Sequence, residues 1–291
     1  MKQIMFLTIL LFFVSCGQRE NIAEIKTITH KELKKAMNLA AAGANHNPRD
    51  VVNKTLETPE IQELFKKNDI IPLFVQEHIY GSLNGFYGPD NYRIEFVILD
   101  MKQDQKNPTK FFISGKNRHK KVVSSFQGSM TIEQVYQVAD PNIKDTIFEV
   151  EDYTYDNYDR MYACTGNFEL KEDSTQPYSG IFTGKMAIDF GIKGDGHPEL
   201  WFWSHKTPTK SSGFLFEGKW TAYGSTKSKS FLFSKDLFMF ANDILKDFSI
   251  GEREVEINPK YRKLGWENFW ELDEWWIEKV PAQGKKLEVS N

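Results

Sequence analysis

Only two cysteines, Cys16 and Cys164, occur in the 291 residues, which excludes the disulfide framework that holds many small secreted domains together. No basic excess is present either: 37 Lys and Arg face 40 Asp and Glu, a formal charge of −3, one unit more negative without Lys2. That balance argues against a nucleic-acid partner, which selects a basic footprint. The sequence also lacks a Gly-x-Ser-x-Gly elbow, a His-Glu-x-x-His pair, a Cys-x-x-Cys pair, a P-loop and a dinucleotide glycine fingerprint. The reading therefore assigns no catalytic residue, no metal and no cofactor. The apolar run at residues 4–14, broken only by Thr8, falls short of the about twenty residues that cross a bilayer.

What is present begins at that run. Lys2 supplies a positive start, and Val14-Ser15-Cys16 closes the stretch with small residues ahead of a cysteine. The segment resembles a bacterial lipoprotein signal, with Phe13 where leucine is usual. The resemblance implies cleavage before Cys16, acylation of that residue and attachment to the membrane through its lipid chains, which hold firmly only when more than one is present. Gly17 rather than aspartate after the cysteine implies the outer membrane of the cell envelope. With Cys16 acylated, Cys164 has no partner within the chain. Its neighbours Tyr162, Ala163 and Thr165 offer no base, so it reads as a small buried apolar residue.

Five segments follow from patterning: a signal peptide at 1–15, a lipidated cysteine and tether at 16–28, a short helical segment at 29–68, an antiparallel β domain at 69–257 and an aromatic-rich C-terminal segment at 258–291. Thr29 with Glu32 fits a capping box, and Asn47-Pro48 and Thr58-Pro59 each open a short helix. The second of these turns Val51, Val52 and Leu56 inward, the third Ile61, Leu64 and Phe65. Beyond residue 70 the apolar period becomes two, with strand-like runs at 73–80, 92–100, 110–115, 122–138, 160–170, 180–190, 199–205, 213–222 and 230–233. Asn84-Gly85, Gly88-Pro89-Asp90, Asp173-Ser174 and Gly194-Asp195-Gly196 read as turns between them.

No long helical pattern separates these runs, so parallel βαβ units are disfavoured. Gly128, Gly184 and Gly218, and more loosely Gly166, each sit mid-strand with a large apolar residue two positions later, a placement that marks bends or close backbone approach. The expected fold is mainly β (α+β): a strongly curved antiparallel sheet, a sandwich or partly closed barrel, preceded by two or three short helices. Gly218-Lys219-Trp220 resembles the Gly-x-Trp signature of lipocalins, although in that family the motif lies on the first strand; the resemblance implies barrel architecture alone.

Strand spacing places Glu199, Trp201, Trp203 and His205 on one face, where two indoles, a carboxylate and an imidazole suit a sugar. The competing reading buries both indoles in the sheet. Trp266 and Trp270 head a second cluster with Trp275 and Trp276, either a cap over the sheet or an exposed recognition surface. Asp195, His197 and Glu199 carry metal-capable side chains but lack the oxygen count of a calcium loop and read as a hairpin turn. Lys116, Arg118, His119, Lys120 and Lys121 form a basic cluster, read as a solvated hairpin or as a phosphate or headgroup site; the acidic, tyrosine-rich stretch at 149–159 reads as an exposed loop. The leading expectation is a noncatalytic envelope lipoprotein that binds a glycan, lipid or protein partner through an aromatic-rich β surface. An envelope hydrolase with paired carboxylates and a structural subunit of an envelope complex are the alternatives.

Overall fold

The computed structural model describes residues 52–75, 81–138, 158–202, 206–241, 243–246, 256–269, 271 and 273–277. Cys16, the tether and the helix expected from Thr29 lie outside them, as do residues 139–157, which hold most of the acidic stretch. Among the described residues the chain runs β1 (Val52–Thr55), α1 (Thr58–Lys67), a 3-10 turn (Ile71–Leu73), β2 (Leu83–Tyr87), β3 (Tyr92–Gln103), β4 (Lys110–His119), β5 (Val122–Val138), β6 (Tyr158–Glu172), β7 (Gly180–Lys193) and β8 (Pro198–Leu200). It continues through β9 (Phe214–Ala222), β10 (Ser228–Ser234), a 3-10 turn (Phe238–Phe240), β11 (Leu245–Lys246), β12 (Glu256–Ile257), α2 (Pro259–Arg262) and a last 3-10 turn (Trp266–Asn268).

Strands β2 to β7 pair in sequence, β9 joins β7, β10 joins β9, and β10 returns to β2 with Phe231 opposite Tyr87, closing an antiparallel ring of eight strands. The sheet thus closes completely rather than in part, and it is not a sandwich. β1 adds to β5, and β8 to β7, outside the ring.

Alternation along each strand sends one set of side chains into the lumen. An eight-stranded ring is narrow enough for side chains alone to fill it, and here phenylalanines do so: Phe96 stacks on Phe233 at 4.1 Å, and Phe233 on Phe216 at 4.7 Å. Cys164, fully buried and unpaired, belongs to this core. Bulges at Leu99 and Glu133 reset the alternation, so that Val135 faces inward after Ile132.

The curvature is allowed by the mid-strand glycines. Gly184 and Gly218 face each other across β7 and β9. A Cβ on either would lie 2.0 Å from a carbonyl oxygen of the partner strand, and at Gly166 and Gly128 the corresponding distances are 2.0 and 1.9 Å.

One end of the ring is stoppered. Ile61, Leu64 and Phe65 of α1 are buried, as the Thr58-Pro59 spacing implies, with Phe65 set edge-on to Phe111 at 6.2 Å. Gln103 Nε2 fastens this helix to the β3–β4 loop by donating to the carbonyls of Phe65 and Pro108, at 2.9 and 2.7 Å. The neighbouring expectation fails: residues 52–55, read as part of a helix, form β1, because β5 extends past the ring and offers them an edge. Leu73, expected to begin the run 73–80, instead ends a 3-10 turn (Ile71–Leu73), and Asn84-Gly85, expected to be a turn, lies within β2. Gly85 is required there by the Leu232 carbonyl oxygen, 2.2 Å from where its Cβ would be.

The C-terminal segment covers the outer wall. Trp266, Tyr261 and Ile257 form a second core with Leu237, Ile244 and Leu245, packed against the outward-facing Phe86 and Leu232. Beside it Arg93, buried on the outer face of β3, donates to Asn84 Oδ1 at 2.7 Å, to the Asn268 carbonyl at 2.8 Å and to Glu95 at 3.1 Å. Arg118 grips Glu95 through two nitrogens, at 2.7 and 2.9 Å, and pairs with Asp273.

Candidate functional site

Opposite the stopper, the turns at 88–91, 120–121, 173–179 and 223–227 gather at the other end of the ring. Lumen-facing side chains change character there from phenylalanine to polar and mixed aromatic groups. Strand alternation splits the basic cluster of β4: Lys116 and Arg118 point outward, to the Trp276 carbonyl and to Glu95 with Asp273, whereas Asn117 and His119 point inward.

The base of this mouth is Glu172, the last residue of β6. Its Oε1 accepts from Asn117 Nδ2, and its Oε2 from the Gly180 backbone N–H and Trp220 Nε1, all at 2.8 Å. Burial raises the Glu172 pKa while those three donors hold it down. A carboxylate held on both oxygens by a strand backbone and two packed side chains is an anchor for the wall rather than a free proton donor.

Above it sit Tyr87 and His119, ring centroids 4.5 Å apart, with Trp220 edge-on to Tyr87 at 5.6 Å. Burial, and then the nearby Glu172 charge, raise the Tyr87 pKa. His119 is pushed down to about 4, chiefly by burial, with Lys120 and Lys229 adding to the effect and a hydrogen bond with the Arg93 backbone opposing it. The imidazole is therefore neutral at ordinary pH, and its Nδ1 is buried without a hydrogen-bond partner. Lys229 Nζ lies 5.0 Å from the Tyr87 ring and 6.0 Å from Trp220, and Lys120 Nζ lies 4.1 Å from Tyr92.

Of the expected sugar face, Glu199 and Trp201 lie among the described residues, the one held in an ion pair and the other buried. Of the predicted run 199–205, Glu199 and Leu200 pair with β7, together with Pro198 before it. Glu199 forms an ion pair with Lys193 at 2.8 Å. Trp201, 2% exposed, donates its backbone N–H to the Asp189 carbonyl of β7 at 3.0 Å, and its indole packs on Val138, Met161 and Ala163 outside the barrel. Trp266 is 0% exposed, with its Nε1 donating to the Asn91 carbonyl at 2.8 Å. Neither ring has a face left for a ligand, because each fills a gap between the barrel wall and a covering segment. Trp203, His205 and Trp270 lie outside the described residues. Asp195, His197 and Glu199 sit on the β7–β8 hairpin, closed by Gly196 N–H to the Lys193 carbonyl at 2.8 Å. No group of three or more metal-ligating side chains is assembled among the described residues.

Sequence reasoning missed Tyr87, Asn117, Glu172 and Lys229, which lie on four different strands. The available signals were His119 and Lys120, noted only as a charge run, and Trp220, noted only as part of a motif.

A second buried carboxylate, Asp189 of β7, faces outward beneath Thr207 and Thr209. Its Oδ2 accepts from the Thr207 and Thr209 hydroxyls, while Oδ1 is buried without a partner. Burial raises its pKa to about 7 against the pull of the two hydroxyls. Since the folded value lies above the unfolded one, the ionised form opposes folding: the penalty is absent below about pH 4, grows towards pH 7 and is complete above it. Asp189→Asn is expected to raise unfolding free energy by about 2 kcal/mol at pH 8 and to change it little at pH 4. Urea titrations at pH 4, 6 and 8 check this, and a variant less stable than the parent at pH 8 contradicts it.

An open groove of 280 Å³ also crosses the outer wall, lined by Glu133, Gln134, Thr165, Lys185, Pro208 and Glu217 among others. Glu133 is already engaged there by Asn167 and by Lys185, the latter at 3.8 Å. Comparison with protein-family models, curated proteins and solved structures returned no match.

Proposed function

We propose that this protein is a noncatalytic binding lipoprotein of the bacterial cell envelope, held at the outer membrane through acylated Cys16, and that it takes a small ligand at the open mouth of its barrel. The observation that carries the reading is the unequal use of the lumen. One end and the middle are filled by packed phenylalanines, whereas the mouth end holds an imidazole nitrogen buried without a hydrogen-bond partner beside Tyr87, Trp220 and a fixed carboxylate. The lipoprotein signal supports the address, and the barrel form agrees with the lipocalin-like character of Gly218-Lys219-Trp220.

The experiment is a titration of the full-length chain, in a detergent with a neutral headgroup, against neutral sugars, acidic sugars and short-chain phospholipids, read by tryptophan fluorescence and thermal shift. At least one class should give a saturable response that Tyr87→Ala removes and Lys185→Gln, on the outer groove, leaves unchanged. A response indifferent to Tyr87→Ala, or none from any class with the fold intact, overturns the mouth as the binding site.

A further inference from the structure

We propose that the ligand of this mouth carries an oxyanion, a carboxylate or phosphate on a sugar-sized or headgroup-sized body, received by Lys120, Lys229, Tyr87 and His119. The inference rests on the mouth being the binding site and adds the chemistry of what enters it.

The first observation is the state of the cations. The two arginines on the outer face of this part of the wall have carboxylate partners: Arg93 pairs with Glu95, and Arg118 with Glu95 and Asp273. Lys120 and Lys229 instead rest on the faces of Tyr92, Tyr87 and Trp220 and pair with no carboxylate among the described residues. On a chain with more acidic than basic residues, two unpaired ammonium groups at one rim are a local reversal of sign. Such a reversal concentrates anions.

The second observation is how Lys120 reaches that rim. The β4–β5 turn has two residues, Lys120 and Lys121, at φ +50° and +69°, the two-residue hairpin geometry that Asn-Gly adopts with least strain. Lysines hold both positions, and the turn sets Lys120 beside His119, which faces inward.

The third observation is the set of unused polar atoms. The Tyr87 hydroxyl has no hydrogen-bond partner among the described residues, and His119 Nδ1 has none either. A neutral imidazole keeps one ring nitrogen able to accept a hydrogen bond, while the tyrosine and the lysines donate. A ligand with an oxyanion beside a hydroxyl, as in a uronic acid or a singly protonated phosphate, satisfies both demands; a purely neutral sugar leaves the two ammonium groups unanswered. Glu172 below does not compete for the lysines, since both of its oxygens are taken by Asn117, Gly180 and Trp220.

The test uses the full-length chain in neutral detergent with four probes: sodium glucuronate, glucose, inorganic phosphate, and phosphatidylcholine vesicles with or without phosphatidylglycerol. Glucuronate and phosphate should move the His119 ring resonances saturably and raise the pH at which they titrate, because a bound negative charge favours the imidazolium. The Lys120→Gln, Lys229→Gln double variant should lose affinity about ten-fold, two exposed charge pairs' worth, with an unchanged melting temperature. Binding confined to vesicles containing phosphatidylglycerol, with the same lysine dependence, assigns the oxyanion to a lipid headgroup; binding of free glucuronate assigns it to an acidic sugar. Glucose binding as tightly as glucuronate, with no effect of the double variant, overturns the oxyanion inference while leaving the mouth as the binding site. Absence of binding by all four probes overturns it as well.

Discussion

Replacing Trp266 with alanine is expected to destabilise the protein by about 4 kcal/mol, within the range for truncating a packed tryptophan. The indole is fully buried, packs 5.5 Å from the Phe86 ring and 5.9 Å from Phe269, and donates from Nε1 to the Asn91 carbonyl. Its loss opens a cavity between wall and covering segment and leaves that carbonyl unpaired. The damage extends to Arg93, whose guanidinium donates to the Asn268 carbonyl two residues along. If that stretch loosens, a buried cation loses an acceptor, and breaking such arrangements from one side is strongly destabilising. Denaturant midpoints measure the total, and amide exchange over residues 256–269 should accelerate more than exchange within β5 to β7. A loss below about 1 kcal/mol, the ordinary effect of a point substitution, would show that the segment rests on the barrel without contributing to it.

Gly218→Ala is expected to cost at least about 3 kcal/mol, the upper end of overpacking effects, or to prevent folding. The added methyl would lie 2.0 Å from the Thr183 carbonyl oxygen and 2.7 Å from Gly184 Cα. Both obstacles are backbone held in a ladder on each side, so neither can swing away as a side chain would. Gly224→Ala is the control: φ is +73° and nothing lies within 4 Å of the added carbon, so only the left-handed conformation is penalised, by about 1 kcal/mol. Chemical denaturation of the two variants separates the causes. Equal losses would mean that backbone conformation, and not the approach of the strands, explains the glycine at 218.

Much of the ring was legible because both of its faces are sorted. The expected run at 122–138 coincides with β5, and those beginning at 92, 110 and 180 begin where β3, β4 and β7 do. The Gly128, Gly166, Gly184 and Gly218 pattern pointed to curvature for the reason the structure gives. Misreadings arose where one local signal has two causes. Asn84-Gly85 has turn chemistry, but here its glycine answers to a strand 147 residues further on, at Leu232. The alternating Trp201-Phe202-Trp203 suggested a ligand face, yet Trp201, bonded through its backbone to Asp189 of β7, is apolar because its indole packs on Met161. The mouth was illegible for a topological reason. Residues 87, 117, 119, 172, 220 and 229 become neighbours only after eight strands have closed, and no window of sequence contains more than two of the inward-facing set.

The seam between β2 and β10 also determines the order in which the molecule can be completed. These strands are the first and last of the ring, and until they meet each presents an unpaired edge, the feature that invites wrong pairing between molecules. Phe86 and Leu232, opposite each other on the outside of that seam, are covered by residues that follow β10: Phe238, Leu264, Trp266 and Phe269. A chain that has emerged only as far as Ser234 possesses every strand of the ring yet has nothing to lay across its joint. The latch is thus synthesised only after every strand of the ring, and a chain released before it would carry its own sticky edge. Closure across such sequence separation is slow relative to local pairing, so the growing molecule has reason to depend on whatever shields exposed strands before the latch arrives.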